Sequence, residues 1–315
     1  MPPRRRILSS TARPATLAAA AGAGADYGRS DEPDWRALDW RVHLRAVTVG
    51  GRRVHLVDVG SGAGPAVLFI HGLGGRWQSW IENIPRVAAS HRAVAFDLPG
   101  FGRSQLPVEP ITIEAYAAVI QRLCDLLELE SLVVVGNSMG GAVAIAAALE
   151  LPELVRATVL VSPAAISLAD FNPAPAAAVL AALSRTPLGS PQGMHSILRR
   201  SRARHLAFAA LVRHPTLIAT DTLSELIGGR GAPGLAGAIE AMLATELGAS
   251  VGEVSQPVLI VQGREDMLVP LRLSRRLADE LPNARLEVLE DTGHLPMIER
   301  PARFNELLLD FVAEV

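Results

Sequence analysis

Apolar and polar residues alternate over 45–49 and again over 53–59, with Gly50-Gly51 between the two runs. A period of two around a glycine pair predicts a hairpin with one buried face. Five later runs, 66–70, 93–96, 132–135, 158–161 and 257–261, are short and almost wholly apolar. Such runs suit parallel strands covered on both faces. A more mixed strand is predicted over 285–290, and helical spacing fills the gaps, most clearly over 113–129 and 138–149. Strand and helix therefore alternate, and the expected fold class is α/β, an open and mostly parallel sheet flanked by helices.

The alternation stops between 165 and 250. This stretch is rich in alanine and leucine and is broken by Pro173, Pro175, Pro191, Pro215, Gly228-Gly229 and Pro233. Segments such as HLAFAALV (205–212) and GLAGAIEAMLATEL (234–247) carry apolar faces that need covering. A helical cap inserted over the carboxyl edge of the sheet would bury them; plain connecting helices are the alternative. The domain reading is a core over 31–164 and 251–315 with a cap over 165–250. Residues 1–30 differ again: three arginines, Arg4 to Arg6, precede an acid-poor, small-residue stretch with Ala-x-Ala pairs near Ala21 to Ala25. The reading is a disordered tail, with a twin-arginine-type export signal as the alternative. The protein is accordingly expected in the cytoplasm, or exported once that segment is removed.

Composition narrows the function. The formal net charge is −2, all 30 basic residues are arginine, and they form no stripe; a nucleic-acid surface needs a concentrated positive footprint, so none is expected. No apolar run reaches the roughly 18 residues of a spanning helix, so no membrane span is expected either. The single cysteine, Cys124, can form no intrachain disulfide and shares a helical face with Ile120, Leu123 and Leu127, which reads as a packed core thiol. Nothing in the sequence sets the oligomeric state.

The chemistry lies in LVVVGNSMGG (132–141). A strand, then Gly136-Asn137-Ser138-Met139-Gly140, then a helix is a nucleophile elbow, in which a strained turn lifts the serine hydroxyl into the open. A serine needs a base to take its proton. Of eight histidines, His43, His55, His71, His91, His195, His205 and His214 have ordinary packed or solvated readings, His71 a structural one. His294 follows the strand at 285–290, at the end of an open α/β sheet where ligands bind. Asp266, after the strand at 257–261, is the acid that would orient it, because Ser, Asp, His in that order is the hydrolase arrangement; Glu265 and Asp291 are neighbours that leave the assignment open. In FIHGLGG (69–75) the N–H of Leu73, or of Gly74, together with that of Met139, could hold a developing oxyanion. Trp77, Trp80, Asn137, Met139 and Met297 are candidate pocket residues; core packing is the competing reading for the tryptophans. No metal-ligand cluster or phosphate-cradling loop is present, so neither metal nor cofactor is expected.

FIHGLGG (69–75), FDLPGFGRS (96–104), VGNSMGG (135–141), GREDMLVP (263–270) and DTGHLPMIERP (291–301) resemble, in order and spacing, the landmark segments of the α/β-hydrolase superfamily. The resemblance implies eight mostly parallel strands, a helical cap and a Ser138-His294-Asp266 triad. Asn137 beside the serine is similar to hydrolases that cleave carbon–carbon bonds in ring-fission products, whereas Leu73 and Leu295 depart from that branch, and GHLPMIERP looks more like esterases and enol-lactonases. The expected activity is hydrolysis of a carboxylic ester or lactone of a small, largely apolar molecule through an acyl-enzyme, with carbon–carbon cleavage of ring-fission products as the alternative.

Overall fold

The computed structural model describes residues 12–62, 64–165, 191–227, 232–245 and 247–315. Its strands are β1 (Leu44–Val49), β2 (Arg52–Val59), β3 (Ala66–Ile70), β4 (Ala93–Phe96), β5 (Leu132–Asn137), β6 (Val155–Val161), β7 (Val258–Gly263) and β8 (Ala284–Leu289). They form one sheet in the order β1-β2-β4-β3-β5-β6-β7-β8. β1 pairs β2 antiparallel, as does β2 with β4, and every pairing from β4 across to β8 is parallel. The turn between β1 and β2 uses Gly50 and Gly51 at φ 56° and 73°, the backbone of a tight two-residue hairpin.

The helices are α1 (Ile84–Ala88), α2 (Ile113–Leu127), α3 (Met139–Glu150), α4 (Pro191–Leu198), α5 (Ser201–Phe208), α6 (Thr220–Ile227), α7 (Leu235–Ala244), α8 (Leu271–Glu280), α9 (Pro296–Glu299) and α10 (Pro301–Glu314). They cover both faces of the sheet, which is why its central strands are apolar throughout. Along β3, Leu68 and Ile70 join the layer containing Ile120 and Leu123 of α2 and Val143 of α3. Val67 and Phe69 join the opposite layer, with Trp80, Phe304 and Phe311. None of the described helices is long and apolar enough to cross a membrane.

Cys124 lies in the first layer, 2% exposed. Burial, with help from the charge of Asp125, pushes its thiol up to about 12. Only the thiolate reacts with alkylating reagents, so iodoacetamide at pH 8 is expected to leave Cys124 unmodified in the folded protein and to modify it on unfolding, read by intact mass. Because the fold favours the protonated thiol, this group contributes a loss of stability as pH rises above its ordinary value of 9.0.

One stretch, at the N-terminus, departs from the pattern-based reading. In the described part of the stretch expected as a cap, α4 to α7 are helical, while Pro173, Pro175, Gly228 and Gly229 lie outside the described residues, as do Arg4 to Arg6. The expected disordered tail over 1–30 is corrected for residues 16–28. Thr16 caps a 3-10 helix at Leu17–Gly22, Asp26 pairs with Arg300 at 2.7 Å, Tyr27 is 4% exposed, and the Gly28 N–H donates to the Glu299 carbonyl at 2.7 Å. A lone tyrosine among alanines and glycines has no period; the partners that order it, Glu299 and His214, lie 272 and 187 residues away.

Candidate active site

The elbow forms as its residue types require. Ser138, between β5 and α3, sits at φ 55°, ψ −116° and is half-buried. The residues two positions to either side are glycine because there is no room for a side chain: a Cβ on Gly136 would stand 2.1 Å from the Gly140 carbonyl oxygen, and one on Gly140 would stand 2.4 Å from the Ile70 oxygen. The Ser138 N–H donates to Val161 and its carbonyl accepts from Gly141 and Ala164, so backbone bonds hold the strained turn on both sides. Met139 opens α3, and its N–H therefore has no partner four residues back in the helix.

Sheet order places the next part. β3 is a neighbour of β5, with Ile70 opposite Gly136, so the turn after β3 leaves the sheet beside the serine. A Cβ on Gly72 would be 3.2 Å from Ser138 Cβ and from Asn137 Oδ1. The turn closes through the Gly75 N–H to the Gly72 carbonyl. His71 is fully buried and braces it: Nε2 accepts from the Leu98 N–H at 3.0 Å, so Nδ1 carries the proton and donates to Gly72 O at 2.8 Å. Burial holds its pKa below the ordinary value, in keeping with a neutral ring in that role. These contacts bring the turn that carries Leu73 beside Ser138, which Met139 follows in the chain.

Asp266 and His294 meet. His294 Nδ1 donates to Asp266 Oδ2 at 2.8 Å, with the two side chains 4% and 0% exposed. Asp266 Oδ1 also accepts from the N–H groups of Leu268 and Val269 at 2.8 and 2.9 Å, and Oδ2 from Gln262 Nε2 at 2.9 Å. An acid with four donors around it acts as an acceptor. His294 consequently presents Nε2 as the free, basic nitrogen. The competitors are occupied elsewhere: Glu265 accepts from the Thr292 N–H, and Asp291 binds His214 Nε2 at 2.9 Å and pairs with Arg213.

β8 lies three places from β5 in the sheet, so the loop after it must turn back toward the serine. It does so over the end of β7, where a Cβ on Gly263 would be 2.0 Å from the Gly293 oxygen. At its far end Asn137 Nδ2 donates to the His294 carbonyl at 3.4 Å and to that of Val161 at 3.0 Å. The residue next to the nucleophile thus touches the backbone of the candidate base. Two supporting side chains escaped the pattern reading. Gln262 is a buried polar residue inside an apolar strand, held in turn by Ser274 Oγ at 2.6 Å; Glu299 is an acid inside the apolar run that follows His294. Both were visible as polar residues where the pattern is otherwise apolar.

The pocket residues are placed differently from the expectation. Trp77 is 6% exposed, stacks at 5.0 Å on Trp40 and has its N–H held by Asp97. Met297 is wholly buried in the same layer as Trp77, and its carbonyl accepts from Asn83 Nδ2. Trp80 packs on Phe69 at 5.1 Å. All three serve the core, which corrects their reading as pocket walls. Asn137 is 3% exposed and is used as a brace, as above. Among the described residues, no group of three or more His, Cys, Asp or Glu is arranged to hold a metal.

A family model described as the alpha/beta hydrolase fold matches residues 65–301. The 2-hydroxymuconate semialdehyde hydrolase of Pseudomonas sp. (strain CF600) is 32% identical over 283 residues, 86% of this chain and 94% of that one. The 2-hydroxy-6-oxo-6-phenylhexa-2,4-dienoate hydrolase of Burkholderia cepacia is 31% identical over 275 residues, 83% and 91% of the two chains. Among solved structures, the enol-lactonase from Burkholderia xenovorans LB400 superposes with a TM-score of 0.71 at 23% identity, over 85% of this chain and all of that one.

Proposed function

The chain belongs to the α/β-hydrolase family, and from that premise we propose that it is a serine hydrolase acting on a carbonyl carbon, with an ester or lactone of a small, largely apolar molecule as substrate. The observation that carries this reading is the His294–Asp266 bond at 2.8 Å in a loop whose backbone is touched by the neighbour of Ser138. His294 Nε2 takes the Ser138 proton as Oγ attacks the carbonyl carbon. The N–H groups of Leu73 and Met139 stabilise the tetrahedral oxyanion, each worth on the order of 3 kcal/mol. His294 then protonates the departing alcohol, and an activated water releases the acid and restores the hydroxyl.

A second reading is supported by the relatives. Both of the curated relatives named above are, by name, hydrolases of ring-fission products, and Asn137 in Gly136-Asn137-Ser138 was similar to that branch at the outset. A dienoate substrate carries a carboxylate that needs a cation. Arg76, which directly follows the glycine turn after β3, binds the carbonyl and carboxylate of Glu225. The test is a panel of short-chain aryl esters, lactones and a coloured ring-fission dienol, run on the wild type and Ser138→Ala. The expected result is a burst of released phenol equal to the enzyme present, absent in the variant. Dienol decay without ester turnover would replace the first reading by the second, and a folded wild type inert to the whole panel would end both.

A further inference from the structure

Behind the candidate base lies a second polar centre that the mechanism above does not use. Glu299, the last residue of α9, is wholly buried, and its carboxylate accepts from four different residues. Gly293 N–H reaches both oxygens at 3.0 and 2.9 Å, Leu295 N–H reaches Oε1 at 3.0 Å, Arg213 N–H reaches Oε2 at 2.7 Å, and the Tyr27 hydroxyl donates to Oε2 at 2.5 Å. Two of these donors are the amides on either side of His294. The amide of His294 itself donates to Leu211 O at 2.9 Å. Three successive N–H groups of this loop are therefore fixed, two by Glu299 and one by the segment at 211–214.

The same two groups bind that segment and the N-terminal arm together. Tyr27 accepts the His214 N–H at 2.8 Å while donating to Glu299, its ring meets His214 edge-on at 5.0 Å, and Arg300 lies over it at 5.3 Å. There is no slack in the stack: a Cβ on Gly293 would stand 2.9 Å from the Arg213 nitrogen. Burial raises the Glu299 carboxyl above its ordinary pKa while its donors oppose that shift, and burial beside Glu299 raises the Tyr27 hydroxyl, which stays protonated to donate.

We propose that Glu299 and Tyr27 are positioning residues for His294: the carboxylate sets the backbone from which the imidazole projects toward Ser138, and the hydroxyl brought by the N-terminal arm locks that carboxylate to the segment at 211–214. The inference rests on His294 being the base. Small displacements of a reacting group cost rate steeply, about a hundredfold for roughly 1 Å, whereas a buried hydrogen bond that only supports the fold affects stability and not turnover.

The experiment compares Tyr27→Phe, which removes a single oxygen, with Glu299→Gln, which turns one acceptor into a donor facing other donors. Tyr116→Phe serves as a control, since that buried hydroxyl, among the described residues, bonds to Pro99 O and not to the loop of His294. The readouts are kcat and KM on the best ester, the rate of Ser138 phosphonylation by a fluorophosphonate, and the far-downfield NMR signal of the proton shared by His294 and Asp266. Tyr27→Phe is expected to keep its circular dichroism and KM, lose about tenfold in kcat and phosphonylation rate, and shift or broaden the downfield signal; Glu299→Gln loses more, and Tyr116→Phe changes none of these. If Glu299→Gln does not fold, Tyr27→Phe still decides. A folded Tyr27→Phe with wild-type kcat, phosphonylation rate and downfield signal overturns the inference alone. A wild type that is itself unreactive to the fluorophosphonate overturns the serine-hydrolase reading, and this inference with it.

Discussion

Ser138→Ala is expected to lower kcat/KM on the best substrate by about 10⁵- to 10⁶-fold, with KM little changed. At about 1.36 kcal/mol per decade this is roughly 7 to 8 kcal/mol of transition-state stabilisation. The loss is large because the hydroxyl is the bond-forming group and no other described nucleophile stands on the elbow. It is not total, since amides that hold an oxyanion still accelerate attack by water about 10³- to 10⁴-fold. The fold should survive: alanine introduces no atom beyond Cβ, and the turn is secured by backbone bonds from Ser138, Gly141 and Ala164. Stopped assays with enough enzyme to see the residual rate check this. A variant retaining more than a small fraction of wild-type turnover would move the chemistry to another residue.

Asp266→Asn is expected to cost about 10⁴-fold in kcat, through the tautomer of His294 more than through lost charge. The Leu268 and Val269 amides demand an acceptor at Oδ1. An asparagine meets that demand with its carbonyl and turns its NH2 toward His294 Nδ1 and Gln262 Nε2, both donors to the native Oδ2. The imidazole then keeps its proton on Nε2, facing the serine, where it can no longer act as a base. Glu265, by contrast, accepts from the Thr292 amide and not from His294 among the described residues, so Glu265→Gln should leave kcat within the same order of magnitude. Equal losses in the two variants would argue against Asp266 as the orienting acid.

Much of this was legible in the chain. Two-sided burial of β3 to β7 writes itself as unbroken apolar runs, and each predicted strand lies within a few residues of its observed position. The elbow was legible because a sharp strand-to-helix turn tolerates few residue types, as the crowding around Gly136 and Gly140 shows. Other features depend on approach in space, which spacing does not encode. Trp77 and Met297 looked like pocket walls because they sit near the motifs, yet packing against Trp40 and the second core layer takes them away from the surface. Tyr27 lay in a stretch without period, and only Glu299 and His214 give it a place. Which of Asp266, Glu265 and Asp291 faces His294 Nδ1 is likewise a matter of approach in space, and it is Asp266 that does so.

The central claim is that the hydroxyl of Ser138 becomes the nucleophile because His294 removes its proton. Cleavage after arginine isolates residues 123–156, a peptide with Ser131 and Ser138 as its serines. After reaction of the folded protein with a fluorophosphonate, fragmentation of this peptide should show a single phosphonyl group on Ser138 in the wild type and none in His294→Ala under the same conditions. Modification at another residue, or an equally fast modification of Ser138 without His294, would contradict the account.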